Sequence, residues 1–495
     1  MSNAADILGV TQETFDMLKA ATSGINTSTG IYGVDLQPLV SLVPVTTPFR
    51  NSTPRVKASQ GAQYAYWRSL LNVNNQQANA AIQFDYAGPL TLIEEQDVYA
   101  KFAPLAQGGT VTWDAQAQSM GYADVLAINT VQTLNQLMIS EDINLLMGQN
   151  FPLPTISAAT LAASTSGGSI GATSAVYVTV AARSGVNYYY GGSGIAAASA
   201  NVTTGAGTTN SVVASVGAVK GAYAYDWFVG SSGTNMVYYT TTTVNTVTIT
   251  SIPTVAQALP SLPLLSNVAP TTPPTTDTSY ATNWMNGLSA SILGDYGTGS
   301  IPFLTTPGTG TSQGAYWASN NGSAFHVSGT AVLELDELNQ AIYNKWQISP
   351  TRYLMGSQSV NDLSNAFLDT PQAVAFLSPS ANDGRNAITM GGTVTRYLNK
   401  TTGGTPIQIE LHPHIPSGTV IAVTDTIPFP GANIDTPLSV ETQLDYARFD
   451  YGSNRVANTS GGGPRYDFEI RAIETFRNKA GATMGMIQNI GAGVI

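Results

Sequence analysis

The clearest periodicity in the chain runs through "GYADVLAINTVQTLNQLMISEDINLLMG", residues 121–148, where Tyr122, Val125, Leu126, Leu134, Leu137, Met138, Leu145 and Leu146 recur at three- and four-residue steps. That spacing predicts one long helix of about 35 to 40 Å at 1.5 Å per residue, with Gly148 in the left-handed position that ends it. "ELDELNQAIYNKW", residues 334–346, predicts a second helix, and residues 4–22, with Phe15 and Leu18 three apart, a short amphipathic one. Between Gly24 and Lys57, Pro38, Pro44, Pro48 and Pro54 interrupt short apolar groups, which predicts an extended arm.

Alternating and β-branched stretches predict the strands. "AQYAYWRSL" and "AIQFDYAGPLTLI", residues 62–70 and 81–93, flank the polar run "NVNNQQANA" and form a long hairpin carrying Tyr64, Tyr66, Trp67, Phe84 and Tyr86. A lone two-stranded hairpin is marginal in water, so these aromatics need a surface to rest on. From Phe151 to Pro274 the chain is nearly free of charge. There "VYVTVAA", "SVVASV", "YAYDWFVG", "MVYYTTTTV" and "TVTITSI" predict a β-sandwich. "PSLPLLSNVAPTTPPTTD", residues 260–277, reads as a tether after it. Further on, "RYLMG" predicts a strand, and "GGTPIQIELHPHIPSGTVIAVTD", residues 403–425, a strand, a turn and a strand. "RYDFEIRAIETF" predicts a strand with one slip, and "AGATMGMIQNIG" a last short strand.

Composition narrows the function. With 495 residues, size does not limit the core; 19 Lys and Arg against 30 Asp and Glu give a net charge of −11, so no basic face for tight nucleic-acid binding is expected. The chain has no cysteine, which excludes disulfides, thiolate metal sites and cysteine nucleophiles. The first twenty residues lack the pattern of a secretory signal, and no apolar run has the length of a membrane helix, so no membrane partner is expected. Charged residues make up only 10%, where about a quarter is usual; much of the surface is therefore expected to be covered by something.

Few residues suggest chemistry. His412 and His414, with Glu410 two positions earlier, share one strand face if "ELHPH" is extended. A His-x-His pair can share a metal, but zinc takes three or four ligands and the remaining histidine is His326; the other reading is a polar strand face that Pro413 and Pro416 terminate. "GGSIG" around Ser169 matches a nucleophile elbow in letters, without the strand before and helix after that an elbow needs. Glu141 and Asp142 point about 100° apart on a helix and cannot converge on one atom; Glu141 is expected to pair with an arginine or an amide. "NYYYGG" and "YDWF" are expected in a sandwich core rather than on a sugar platform. We expect no enzyme, cofactor or metal.

Taken in order, arm, hairpin, helix and strand segments resemble the major capsid protein of tailed bacteriophages, the Hong Kong 97-type fold. The segments that carry the likeness are "VTWDAQAQSMGYADVLAINTVQTLNQLMISEDINLLMG", "ELDELNQAIYNKWQISPTRYLMGSQSVNDL", "GGTPIQIELHPHIPSGTVIAVTD" and "RYDFEIRAIETFRNKAGATMGMIQNIG". The resemblance implies an α+β fold with an N-terminal arm (1–57), an E-loop hairpin (58–112) and a peripheral domain with a spine helix (113–150). An inserted immunoglobulin-like or fibronectin type III-like domain (151–274), an axial domain (275–431), peripheral return strands (432–478) and a C-terminal axial segment (479–495) complete it.

It further implies a virion shell of hexamers and pentamers, assembled in the host cytoplasm around double-stranded DNA. Expected partners are a separate scaffolding protein, a portal, minor or decoration proteins, and DNA in weak non-specific contact. Trp67, Phe84 and Tyr86 are the expected intersubunit anchors. Arg50, Arg55 and Lys57 are expected to pair with a neighbour's acidic groups or to face the genome. The hairpin's one lysine, Lys101, stands away from its polar tip, so a non-covalent shell is expected. The rival reading is a surface or secreted adhesive protein whose fibronectin-like block does the binding.

Overall fold

The computed structural model describes residues 45–58, 61, 63–70, 95–120, 124–254, 271–281, 284–293, 315–328, 331–368, 394–427, 436–454 and 465–491. The predicted helix at 4–22, most of the arm and the predicted strand at 81–93 lie outside the described residues. In chain order, α1 (Pro48–Ser52) and β1 (Arg55–Lys57) lead to β2 (Tyr64–Leu70), β3 (Glu95–Lys101), β4 (Ala103–Thr112), α2 (Trp113–Ser119) and α3 (Val125–Met147). Next come β5 (Thr160–Ser164), β6 (Ala175–Arg183), α4 (Gly185–Tyr190), β7 (Ala200–Thr203), β8 (Ser211–Ser215), β9 (Ala224–Gly230), β10 (Val237–Thr242) and β11 (Thr246–Ile249). Then follow α5 (Leu288–Leu293), β12 (Tyr316–Ser319), β13 (Val327–Ser328), β14 (Ala331–Val332), α6 (Leu333–Trp346), β15 (Arg352–Met355) and α7 (Ser357–Leu368). The last strands are β16 (Arg396–Asn399), β17 (Thr405–Leu411), β18 (Val420–Val423), β19 (Leu438–Asn454), β20 (Arg465–Asn478) and β21 (Gly485–Gln488). The protein is a mixed helix and sheet fold, and no helix among the described residues is long and apolar enough to cross a membrane.

The chain divides into two compact units, one of Met1–Arg50, Pro104–Glu141 and Thr442–Glu474, the other of Asn51–Ala103, Asp142–Glu441 and Thr475–Ile495. In the first unit the strand order is β19–β20–β4. Phe468 and Ile470 of β20 pack on Leu137, with Leu105, Leu126, Leu134 and Tyr446 around them. Burial on β20 alternates through Phe468, Ile470, Ala472 and Glu474 with Ile473 half-buried between the last two, so the slip expected at Ile473 is absent. Helix α3 starts where Asp124 accepts hydrogen bonds from the Leu126 and Ala127 amides, both at 3.1 Å, satisfying donors that a helix start leaves free.

In the second unit, two sheets enclose one core in the uncharged block. The order is β10–β9–β6–β7 in one sheet and β11–β8–β5 in the other; Val176, Val178 and Val180 of β6 and Tyr225, Trp227 and Val229 of β9 meet Val212, Ala214 and Ile249. On the reverse face, Ala181 of β6 and Phe228 of β9 are buried in a second cluster with Met236 and Tyr238. "YDWF" is thus core. The stretch expected to be a free tether is fastened where it is described: the Tyr238 amide donates to Thr271 O and the Ala196 amide to Pro274 O, both at 3.0 Å.

A six-stranded mixed sheet, β12–β21–β18–β15–β17–β16, forms a second core of this unit. Leu335, Leu338 and Ile342 of α6 pack on Tyr353, Met355, Val420 and Ile487. β15 runs parallel to β17 and antiparallel to β18, so the turn at 412–419 joins strands that are not neighbours. Gly148 departs from expectation: it is not among the glycines with positive φ. Its side chain is excluded because a Cβ there would collide with the Met285 carbonyl oxygen.

Candidate functional site

β2 and β3 pair antiparallel from Tyr64↔Lys101 to Leu70↔Glu95 and join no third strand among the described residues. The returning strand described is therefore 95–101. A period of two divides the ribbon into an inner face of Ala65, Trp67 and Ala100, all buried, and an outer face of Tyr64, Tyr66, Tyr99 and Lys101. Tyr66 is 67% exposed. Its ring lies 6.3 Å from that of Tyr64 and 5.8 Å from that of Tyr99, and the Tyr64 and Tyr99 rings meet edge-on at 5.2 Å. Lost hydration, then the neighbouring Tyr64 and Tyr66, hold the Tyr99 hydroxyl above the usual tyrosine range.

The expected anchors are placed differently along the ribbon. Trp67 is 7% exposed and already covered by its own chain, so it has little area left for a partner; the open aromatic is Tyr66. Phe84 and Tyr86 lie outside the described residues. Arg50 is committed internally: its Nε donates to Glu141 Oε2 at 2.7 Å, and its Nη2 to the Tyr446 hydroxyl at 2.8 Å. Glu141 thus finds the arginine expected of it. Arg55 is half-buried and Lys57 exposed.

The histidine stretch is not one strand face. β17 ends at Leu411; the His412 amide donates to Met355 O at 2.8 Å, and the His414 amide turns back to donate to His412 Nδ1 at 3.1 Å. The turn aims both rings at Asp142, near the C-terminal end of α3. Asp142 Oδ2 lies 2.7 Å from His414 Nδ1 and 3.3 Å from His412 Nε2, and all three residues are buried. Tyr189 of α4 packs edge-on against His414 with centroids 6.2 Å apart. Burial, then Tyr188 and Asp142, push its hydroxyl far above the tyrosine range. Glu410 faces elsewhere and pairs with Arg352 at 3.0 Å. His326 is exposed.

Asp142 is the member that local spacing misses. Glu141 and Asp142 are the only charged residues in α3, and each finds its own partners, as their angular separation requires. A carboxylate in so apolar a helix was the available signal. Ser169 makes no elbow: its Oγ donates to Thr250 O at 3.2 Å, and the element that follows is strand β6.

No protein-family model matches the chain, and no curated protein does. Among solved structures it is similar to the capsid of a native GTA particle, with a TM-score of 0.43 and 6% identity over 93% of this chain and 96% of that one. It is similar to the Cyanophage A-1(L) capsid, with a TM-score of 0.42 and 10% identity over 92% and 95%. For the capsid of Myoviridae phage XM1 the TM-score is 0.39, with 7% identity over 92% and 96%.

Proposed function

We propose that this chain is a shell-building structural protein, the major capsid protein of a tailed double-stranded DNA bacteriophage with a Hong Kong 97-type fold. The observation that carries the reading is the β2–β3 ribbon, which has one covered face and an open tyrosine face with Tyr66 67% exposed. A two-stranded ribbon gains little by itself, whereas covering aromatic surface contributes about 25 cal/mol per Å². A sister copy offers that cover at every position of a closed shell, and obligate interfaces typically bury about 2,000 Å² or more.

On this reading, residues 58–112 are the E-loop and 1–57 the arm that lies across a neighbour. The spine helix stiffens a peripheral domain of 113–150 and 432–478; residues 275–431 and 479–495 form the axial domain that closes rings of six and five. Residues 151–274 form an immunoglobulin-like decoration. A net charge of −11 suits a container that must take up and release DNA, since strong phosphate neutralisation would oppose release. Arg50 is engaged within its own unit, and the exposed Lys57 is the candidate to meet a neighbour's carboxylates or the genome.

The test is negative-stain microscopy of the full chain expressed with a phage scaffolding protein. Uniform closed shells are expected, and dispersed single chains would contradict the reading. Denaturing mass spectrometry of those shells should give one chain mass; a covalent ladder would overturn the non-covalent assignment.

A further inference from the structure

We propose that Asp142, His412 and His414 bind a divalent transition-metal ion, with Zn²⁺ the best match to two imidazoles and one carboxylate. The donor atoms of the three residues lie within 4.8 Å of one another, and all three side chains are buried. The second observation is at His412. Its Nε2 lies 3.3 Å from Asp142 Oδ2 but makes no hydrogen bond to any described residue, so a buried ring nitrogen is aimed at the cluster without a matched acceptor. That same 3.3 Å is the edge of a tetrahedron whose bonds are about 2.0 Å, the length of zinc bonds to nitrogen and carboxylate oxygen. The His414–Asp142 edge, 2.7 Å, has to open to match it.

The ion competes with an existing arrangement. The His414 amide donates to His412 Nδ1 at 3.1 Å, which places the ring proton of neutral His412 on Nε2 when no ion is bound. On binding, each neutral imidazole keeps one proton and moves it to its other nitrogen: His412 from Nε2 to Nδ1, His414 from Nδ1 to Nε2. No redox change occurs, and the chain forfeits the amide contact and the His414–Asp142 hydrogen bond in exchange for two nitrogen bonds and one oxygen bond to the ion. Three protein donors leave one tetrahedral position for a buried water. The ion would pin the end of α3 to the turn after β17, both in the second unit, as a structural clamp. The proposal stands independently of the shell reading.

The test uses the tag-free full chain, stripped with a chelator and titrated with Co²⁺ and then Zn²⁺. Expected are one equivalent bound per chain, the intense visible bands of tetrahedral Co²⁺, and a rise in melting temperature with Zn²⁺. His412→Ala and Asp142→Asn should bind at least about tenfold more weakly, while His326→Ala, outside the cluster, should bind like the parent chain. Absence of Co²⁺ bands and of retained Zn²⁺ in the parent chain overturns the proposal without reference to any variant. So does equal uptake by His412→Ala, and either result leaves a hydrogen-bonded Asp–His–His triad.

Discussion

The ribbon β2–β3 and the strand β9 are both rich in aromatics, yet the chain treats them oppositely. In β9 every residue from Ala224 to Gly230 is buried: one face of its sheet meets the β11–β8–β5 sheet, and on the other Phe228 is buried in a cluster with Ala181, Met236 and Tyr238. In the ribbon, burial alternates: Ala65 and Trp67 are covered and Tyr66 stands open. The difference lies in what is available to cover them. The sandwich holds both of its layers within 151–274, so its aromatics are satisfied where they are made. Among the described residues the ribbon has no second sheet over its tyrosine face, and on the proposed reading a sister copy supplies that cover.

That contrast can be tested by removing side chains from each side in turn. Trp227 is fully buried, so Trp227→Ala should destabilise the sandwich by about 3–5 kcal/mol, seen as an early melting step in calorimetry. Arg183 pairs with Asp226 at 2.6 Å, both nearly inaccessible, and Arg183→Met strands the carboxylate at a cost of about 3 kcal/mol. Burial already raises the Asp226 carboxyl pKa, opposed by Arg183 and Thr241; without the cation it rises further. The folded variant then keeps a proton that the unfolded chain releases. Its stability should therefore be highest below the ordinary carboxylate range and fall as pH climbs from there to the folded value, which melting curves across that window would show.

Asn210 has a smaller part. Its amide nitrogen reaches the carbonyls of Ile170, Gly171 and Gly205 at 3.1–3.3 Å and also that of Gly207, so Asn210→Ala should cost about 1–3 kcal/mol by chemical denaturation. Tyr66→Ala should change the stability of the unassembled chain least, by less than about 0.5 kcal/mol, while reducing the yield of assembled particles. A large loss of stability from Tyr66→Ala in the lone chain would erase the distinction between the two regions.

Much of the local structure was legible. The strands of the uncharged block and the helices α3 and α6 follow from side-chain period and branching, which act over a few residues. What local pattern does not contain is pairing at a distance. The insertion of β15 between β17 and β18 is a matter of topology, and Asp142 meets His414 across 272 positions of chain. Period two separates Tyr66 from Trp67, but which face finds cover depends on the rest of the fold, and Trp67, expected as an intersubunit anchor, lies on the covered face. Gly148 suited a helix stop by type; the carbonyl of Met285 that requires it comes from far along the chain.

The central claim is that the open tyrosine face is covered by another copy of the chain. Tyrosine nitration mapped by mass spectrometry, on the dissociated chain and on assembled particles, addresses it most directly. Strong modification of Tyr66 in the dissociated chain and protection in the particle is the predicted result. Equal modification of Tyr66 in both, or a chain that stays monomeric with Tyr66 already protected, would contradict the account.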